Sequence, residues 1–289
     1  MRVPLSVDLD VLLGSRRRIS RDGAGAIEVA RQPAGVILRE VEGATHSCVA
    51  RACGQDLDYT RIEAPLDGFE RAVDAFRAAG GKGLNVTMPF KEAAFRYCER
   101  PSERASRAGV VNTLSFGAQV GGDTTDGVGI VTDLRNQGAA LKGRSVLLMG
   151  AGGAAQGVAG AILEAGVAEL VVANRTVTRA HALAERFPGL IASSYHDLEG
   201  ETFDVVINAT SAGLQNKAAE LPPGVIREGT LAYDMVYGRD TPFLAAARAA
   251  GARASDGLGM LVEQAAESFF IWRGVRPDTA PVLARLRAA

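Results

Sequence analysis

Apolar residues in the second half of the chain come in short unbroken runs. Ser145 to Met149, Glu169 to Ala173, Phe203 to Asn208 and Thr230 to Met235 each carry such a run. A run of this length without alternation suits a strand buried on both faces. Between and after the runs, apolar residues recur at helical spacing. These stretches predict a helix running through Leu163, then Val177 to Phe187, Pro242 to Ala250 and Leu261 to Trp272. Strand and helix in alternation predict a parallel sheet with helices on both faces. The last helix is expected to return and pack on the first part of the chain.

The first half is less regular. Val7 to Leu13 and Gly35 to Val41 are strand-like, with the glycine-rich Asp22 to Gly25 between them, and Asp58 to Ala64 reads as a further strand. Asp67 opens a predicted helix that carries Phe69, Val73 and Phe76 and stops at Gly80-Gly81. Gly83 to Pro89 reads as a short strand ended by proline, and Lys91 to Cys98 as a helix.

Composition narrows the class. A chain of 289 residues suits two domains of ordinary size. With 47% apolar residues, 22% charged residues and a net charge of -1, nothing points to nucleic acid or an anionic membrane as a partner. No stretch reaches the about 20 apolar residues that span a bilayer. Arg16, Arg17 and Arg18 interrupt any leader-like apolar run near the N-terminus. Cys48, Cys53 and Cys98 lack C-x-x-C spacing, so they read as reduced thiols in a cytoplasmic protein, with no metal site expected. The expected partner is a small-molecule substrate, bound by a monomer or homodimer.

The first apolar run leads into Gly150-Ala151-Gly152-Gly153-Ala154-Ala155. This is G-x-G-x-x-A between a predicted strand and a predicted helix. Gly150 permits the tight turn, Gly152 lets a pyrophosphate approach the backbone, and Ala155 lets the helix sit close to the strand. The helix N-terminus offers free N–H groups to phosphate. The next strand ends in Asn174-Arg175-Thr176, with Arg179 one turn on and no carboxylate at the tip. NAD sites usually place an acid there for the ribose 2′-hydroxyl. Two guanidinium groups suit a 2′-phosphate instead, so NADP is the expected cofactor.

Three further strings carry polar chemistry: Asn85 to Lys91, Val111-Asn112-Thr113 and Gly122 to Gly127. With them the chain resembles the shikimate dehydrogenase family. That family has N-V-T-x-P-x-K, V-N-T, N-T-D-G, G-A-G-G-A, N-R-T, A-T-S-x-G, D-x-x-Y and D-G-x-x-M-L-x-x-Q. Here they stand in the same order at Asn85 to Lys91, Val111 to Thr113, Thr124 to Gly127, Gly150 to Ala154, Asn174 to Thr176, Ala209 to Gly213, Asp234 to Tyr237 and Asp256 to Gln264. The resemblance spans about residues 58 to 280.

The resemblance implies a NADP-dependent dehydrogenase of aromatic amino acid biosynthesis (the chorismate pathway) that interconverts 3-dehydroshikimate and shikimate. Lys91 and Asp126 stand at the family's catalytic pair. A lysine can stabilise a developing alkoxide and protonate it, and a carboxylate can orient the lysine. Thr87, Asn112, Asp126, Tyr237 and Gln264 stand where the family holds the ring hydroxyls and carboxylate. Met235 and Gly257 match positions flanking the nicotinamide, and Thr210 and Ser211 follow a strand end at the ligand edge of the sheet. The family's G-x-P-x-x-H-S-x-S-P string, whose serines grip the substrate carboxylate, has no clear counterpart. His46-Ser47-Cys48-Val49-Ala50 keeps its first two letters, and Gly14 to Ser20 keeps its spacing but puts Asp22 at the second serine. Thr124 replaces asparagine.

The expected fold class is α/β with two domains. An α/β substrate domain covers 1–127, joined by C-terminal helices in 259–289, and a Rossmann-type NADP domain covers 128–258. The site is expected in the cleft between them, with Gly127 and Gly129 as candidate hinges. Two alternatives remain: a related enzyme for quinate, aminoshikimate or another ring acid, and a non-catalytic ligand-sensing module.

Overall fold

A computed structural model of the chain describes residues 45–46, 48–55, 59, 62, 64–212 and 221–288. The expected strands Val7 to Leu13 and Gly35 to Val41 lie outside the described residues, as does Gly213. Of the expected strand Asp58 to Ala64, residues Tyr59, Ile62 and Ala64 are described, and none is in a strand. Residues 45–46 and 48–52 are helical.

The first sheet follows helix α1 (Phe69–Ala78), which buries Phe69, Val73 and Phe76 as its spacing predicts. Strand β1 (Gly83–Asn85), helix α2 (Lys91–Tyr97), strand β2 (Arg100–Pro101), helix α3 (Glu103–Ala108), and strands β3 (Thr113–Phe116) and β4 (Val120–Asp123) come next. They form a four-stranded sheet in the order β1-β3-β4-β2, antiparallel except for β2 against β4. Its core joins Phe69, Val73, Val86, Ala94, Val111, Leu114 and Val120.

Helix α4 (Asp126–Asn136) leads to the second sheet. Its elements are β5 (Ser145–Met149), α5 (Gly153–Glu164), β6 (Glu169–Ala173), α6 (Val177–Arg186), β7 (Leu190–Ser193), β8 (Val205–Asn208), β9 (Leu231–Asp234), α7 (Pro242–Ala249) and β10 (Arg253–Asp256). All strands are parallel, in the order β10-β9-β8-β5-β6-β7. The unbroken apolar run of β5 now has its reason. Val146 and Leu148 face one core with Ala155, Val158 and Ile162 of α5, while Leu147 and Met149 face another with Phe243, Leu244 and Ala247 of α7. Each such side chain contributes about 1.5 to 3 kcal/mol by leaving water.

Helix α8 (Leu258–Arg273) returns to the first sheet, as expected. Trp272 Nε1 donates to Leu114 O at 2.9 Å, and Ser268 meets Thr113 Oγ1 at 2.8 Å. Helix α9 (Ala280–Arg287) follows. Gly127 and Gly129, the candidate hinges, lie in the first turn of α4 at close crossings. A Cβ at Gly127 would stand 2.7 Å from Ala161 Cβ of α5, and one at Gly129 would stand 2.8 Å from Gln264 Cβ of α8. They are glycine because neighbouring helices fill the space.

Candidate functional site

The order of the second sheet reverses between β5 and β8. In open parallel sheets, ligands bind at the carboxyl ends beside such a switch point. The G-x-G-x-x-A turn sits there. Gly150 has φ +99, a conformation glycine adopts freely. Its N–H donates to Ala173 O at 2.8 Å, tying the turn to β6. Gly152 caps α5 with no side-chain cap, and a Cβ placed on it would meet nothing within 4 Å. Backbone N–H groups of Gly153 and Ala154 therefore open onto accessible space, beside Ala151. This bare cradle fits the pyrophosphate of a dinucleotide.

Neighbouring strand ends converge on the turn. A Cβ at Gly150 would stand 3.2 Å from Thr210 Cγ2. Thr210 is fixed by Asn208, whose Oδ1 accepts from Thr210 Oγ1 at 2.7 Å. Asn208 Nδ2 donates to Asp234 Oδ1 at 3.2 Å, and Asp234 also accepts from Thr241 Oγ1 at 2.6 Å and from the Val236 amide at 3.0 Å. Burial raises the Asp234 carboxyl above its ordinary value, and these donors oppose the rise. The aspartate thus fixes the loop carrying Met235 and Tyr237. Met235 and Gly257 are in contact, since a Cβ at Gly257 would strike Met235 O at 2.5 Å. Ser211 is exposed beside Thr210.

Met149 pairs with Ala173, so the tip of β6 lies beside the turn. Arg175 and Arg179 are both exposed there. Asn174 Nδ2 donates to Thr176 O at 2.9 Å, shaping the tip, and Thr176 is the N-cap of α6.

The second half of the site comes from the first sheet. Thr87 follows β1, and its carbonyl accepts from the Phe90 amide at 2.9 Å. That turn launches α2, whose first residue is Lys91. Lys91 Nζ lies 2.6 Å from Asp126 Oδ2 at the start of α4. Asn112 Nδ2 donates to Asp126 Oδ1 at 2.9 Å and to Thr125 Oγ1 at 3.0 Å, and lies 3.4 Å from Gln264 Oε1. Asn112 Oδ1 accepts from the Thr125 amide at 2.9 Å. Asp126 is 5% exposed and Asn112 3%. The pair also meets the phosphate-binding turn, since a Cβ at Gly153 would lie 3.9 Å from Lys91 Cβ. Tyr237 is buried with Leu258 and Leu261.

The structure therefore gathers Lys91, Asp126, Asn112 and Gln264 into one network. Sequence reading missed Thr125, Thr113 and Ser268 in it, along with the side-chain role of Asn85. Asn85 Nδ2 donates to Ser268 Oγ at 3.1 Å and to Thr113 Oγ1 at 3.2 Å. Ser268 sits one helical turn after Gln264, and that spacing was a usable signal. Ser47 lies outside the described residues. His46 is buried in a helix and stacks on Tyr59 with ring centroids 4.2 Å apart. Among the described residues its Nδ1 has no partner, and burial lowers its pKa to about 3. His46 is thus a sealed, neutral imidazole within a helix. Among the described residues, no group of three or more His, Cys, Asp or Glu is placed to hold a metal. Also among the described residues, no helix is long and apolar enough to cross a membrane.

A Rossmann-type sheet with a bare phosphate cradle, facing a buried lysine–carboxylate pair at the starts of α2 and α4, defines a dinucleotide-binding α/β protein. Family models sharpen the class. Residues 43–114 match the shikimate dehydrogenase substrate binding domain, 133–219 match shikimate / quinate 5-dehydrogenase, and 257–287 match the shikimate 5'-dehydrogenase C-terminal domain. A protein of Aromatoleum aromaticum named shikimate dehydrogenase (NADP(+)) is 57% identical over 254 residues, covering 84% of this chain and 91% of its own. The crystal structure of an Ael1 enzyme from Pseudomonas putida is similar, with a TM-score of 0.81 and 46% identity over 86% of this chain and 94% of that one. The shikimate 5-dehydrogenase of Thermus thermophilus, solved with NADP(H) and shikimate, gives a TM-score of 0.79 and 35% identity over 87% and 95%. The chain belongs to the shikimate dehydrogenase family.

Proposed function

We propose that this protein is a NADP-dependent dehydrogenase that interconverts 3-dehydroshikimate and shikimate. The observation that carries the reading is the 2.6 Å Lys91–Asp126 pair packed against the first residue of the phosphate-binding helix. NADP(H), when bound, supplies or accepts the hydride. Gly150, Ala151, Gly152, Gly153 and Ala154 would hold its pyrophosphate, and Arg175 and Arg179 its 2′-phosphate, with Asn174 and Thr176 shaping that tip. Thr210, Ser211, Met235 and Gly257 would border the rest of the cofactor.

Lys91 supports the ring oxygen as charge develops there and exchanges a proton with it at Nζ. Asp126 orients the ammonium through Oδ2 and leaves Oδ1 to Asn112. Thr87, Asn112, Tyr237 and Gln264 read the ring hydroxyls and carboxylate. On this reading, the chain divides near 127 and 258. The substrate part is 1–127 with 259–289, and the NADP part is 128–258. Retention of a complete acid–base pair supports an enzyme over a sensing module, which needs no such pair.

A second reading, activity on quinate, aminoshikimate or another ring acid, is favoured by the missing serine string. A carboxylate left without its donors costs about 1 to 3 kcal/mol, enough to change which ring acid is preferred. The test is NADP-linked turnover of the purified protein on shikimate, quinate and aminoshikimate, with Lys91→Ala beside it. We expect shikimate turnover of order 1 to 10³ per second, and a loss of about 100-fold or more in Lys91→Ala with NADP binding retained. NADP binding without turnover of shikimate would overturn the primary reading.

A further inference from the structure

Helix α5 does more than start at the phosphate-binding turn. Its fifth residue, Gly157, lies against the acid–base pair. A Cβ placed there would stand 2.9 Å from Asp126 Oδ2, 3.3 Å from Thr124 Oγ1 and 3.5 Å from Asp126 Cβ. Oδ2 is the oxygen that holds Lys91 Nζ at 2.6 Å. Oδ1 is held by Asn112 at 2.9 Å. The carboxylate therefore has no free direction in which to yield, and moving it breaks one bond or the other. The helices cannot part to make room without losing their own contact, since Gly157 O lies 3.0 Å from the Cβ position of Gly127 on α4. Among the described residues Thr124 Oγ1 is buried without a partner, and it faces the same seam.

We infer that Gly157 is a positioning residue for the reaction proposed above. By bringing no side chain, it lets the cofactor-binding helix rest on the Asp126 carboxylate. The phosphate-binding turn and the Lys91–Asp126 pair then keep one fixed separation. The inference rests on the dehydrogenase reading, and the geometry of this seam is its own support. A contact at 2.9 Å is relieved by a shift of a few tenths of an ångström, and since about 1 Å of misplacement costs a rate factor of about 100, the expected loss is about 3- to 10-fold.

The test compares two alanine substitutions in one helix. Gly157→Ala is expected to lower kcat about 3- to 10-fold while KM for NADPH stays within about threefold, because the turn itself is untouched. Gly160→Ala creates an equal clash against a different neighbour, 2.9 Å from Phe187 Cε1. It is expected to lower Tm and leave kcat within about twofold. In an Asp126→Ala background, Gly157→Ala should add less than about threefold, since coupled residues are not additive. Additive losses, or equal kcat losses in the two glycine variants, overturn the inference. If Gly157→Ala alone does not fold, the Asp126→Ala, Gly157→Ala pair should fold, because the carboxylate oxygen it strikes at 2.9 Å is gone, and failure of both overturns it. A readout without turnover is the rate at which an amine-acylating reagent labels Lys91, followed by mass spectrometry. That rate should change several-fold in Gly157→Ala and stay constant in Gly160→Ala. An unchanged rate in Gly157→Ala overturns the inference even where the wild type turns over no ring acid, a result that by itself would refute only the dehydrogenase reading.

Discussion

Acid should destabilise this fold through one histidine. His46 is sealed from water, stacks on Tyr59 at 4.2 Å, lies 5.9 Å from the Trp272 ring, and leaves Nδ1 unpartnered among the described residues. Burial depresses its pKa from 6.5 to about 3. In the unfolded chain the imidazole titrates near 6.5, so between these two values the unfolded state binds a proton that the folded state refuses. The contribution to stability is therefore complete above pH 6.5 and is lost as pH falls toward 3. Each pH unit in that window costs about 1.4 kcal/mol, so at pH 5 the loss from His46 alone is about 2 kcal/mol. His46→Phe keeps a ring against Tyr59 and removes the titration. Urea unfolding of both proteins at about pH 7.5 and about pH 5 measures the difference, and all other titrating groups cancel in the comparison. The wild type should lose about 2 kcal/mol more than His46→Phe over that interval. Equal losses would show that the imidazole is solvated or protonated in the folded protein, and the burial argument would fail.

Two further outcomes are expected. Arg175→Ala should raise KM for NADPH by about 10- to 100-fold, the equivalent of about 1.5 to 3 kcal/mol for a hydrogen bond to a charged group, and leave KM for NADH unchanged; an unaltered NADPH to NADH preference would remove Arg175 from the 2′-phosphate site. Tyr233→Phe should cost about 1 to 3 kcal/mol in denaturant unfolding, because the buried Tyr233 hydroxyl donates to Asp133 Oδ2 at 2.6 Å; a loss below about 0.5 kcal/mol would mean that Asp133 finds another donor.

The second sheet was legible where its strands are central. The runs Ser145 to Met149 and Glu169 to Ala173 match β5 and β6 end to end, because strands covered on both faces must be apolar throughout. The two edge strands were not legible. β10 reads Arg-Ala-Ser-Asp and is nowhere fully buried, and β7 exposes half of Ile191. A strand with one neighbour needs no continuous apolar run. Strands β3 and β4 were hidden for another reason. Their residues carry polar site chemistry at one end and Gly121-Gly122 in the middle of β4, where a Cβ on Gly122 would strike Cys98 Sγ at 2.6 Å. Packing demanded glycine where propensity would read a break.

Helix α4 concentrates the same conflict, and it is where most of the site is built. Its sequence, Asp-Gly-Val-Gly-Ile-Val-Thr-Asp-Leu-Arg-Asn, has two glycines in its first turn and reads as a loop. Each glycine marks a neighbour: α5 at Gly127 and α8 at Gly129. On the same helix, Asp126 faces Lys91, and Asp133 reaches the hydroxyl of Tyr233 on β9. A Cβ on Gly259 of α8 would collide with the Asp133 carboxylate, so that helix also approaches without a side chain. Helices α5 and α8 thus each meet α4 at close backbone approach, beside two buried carboxylates. Larger residues would strengthen each helix by about 1 kcal/mol for every glycine replaced, yet they would push apart the elements that carry Lys91, Asp126 and Gln264. Intrinsic helix strength has been given up here for a short distance between elements, so propensity does not read the helix that carries Asp126, while motif order still points to Asp126 as a candidate site residue.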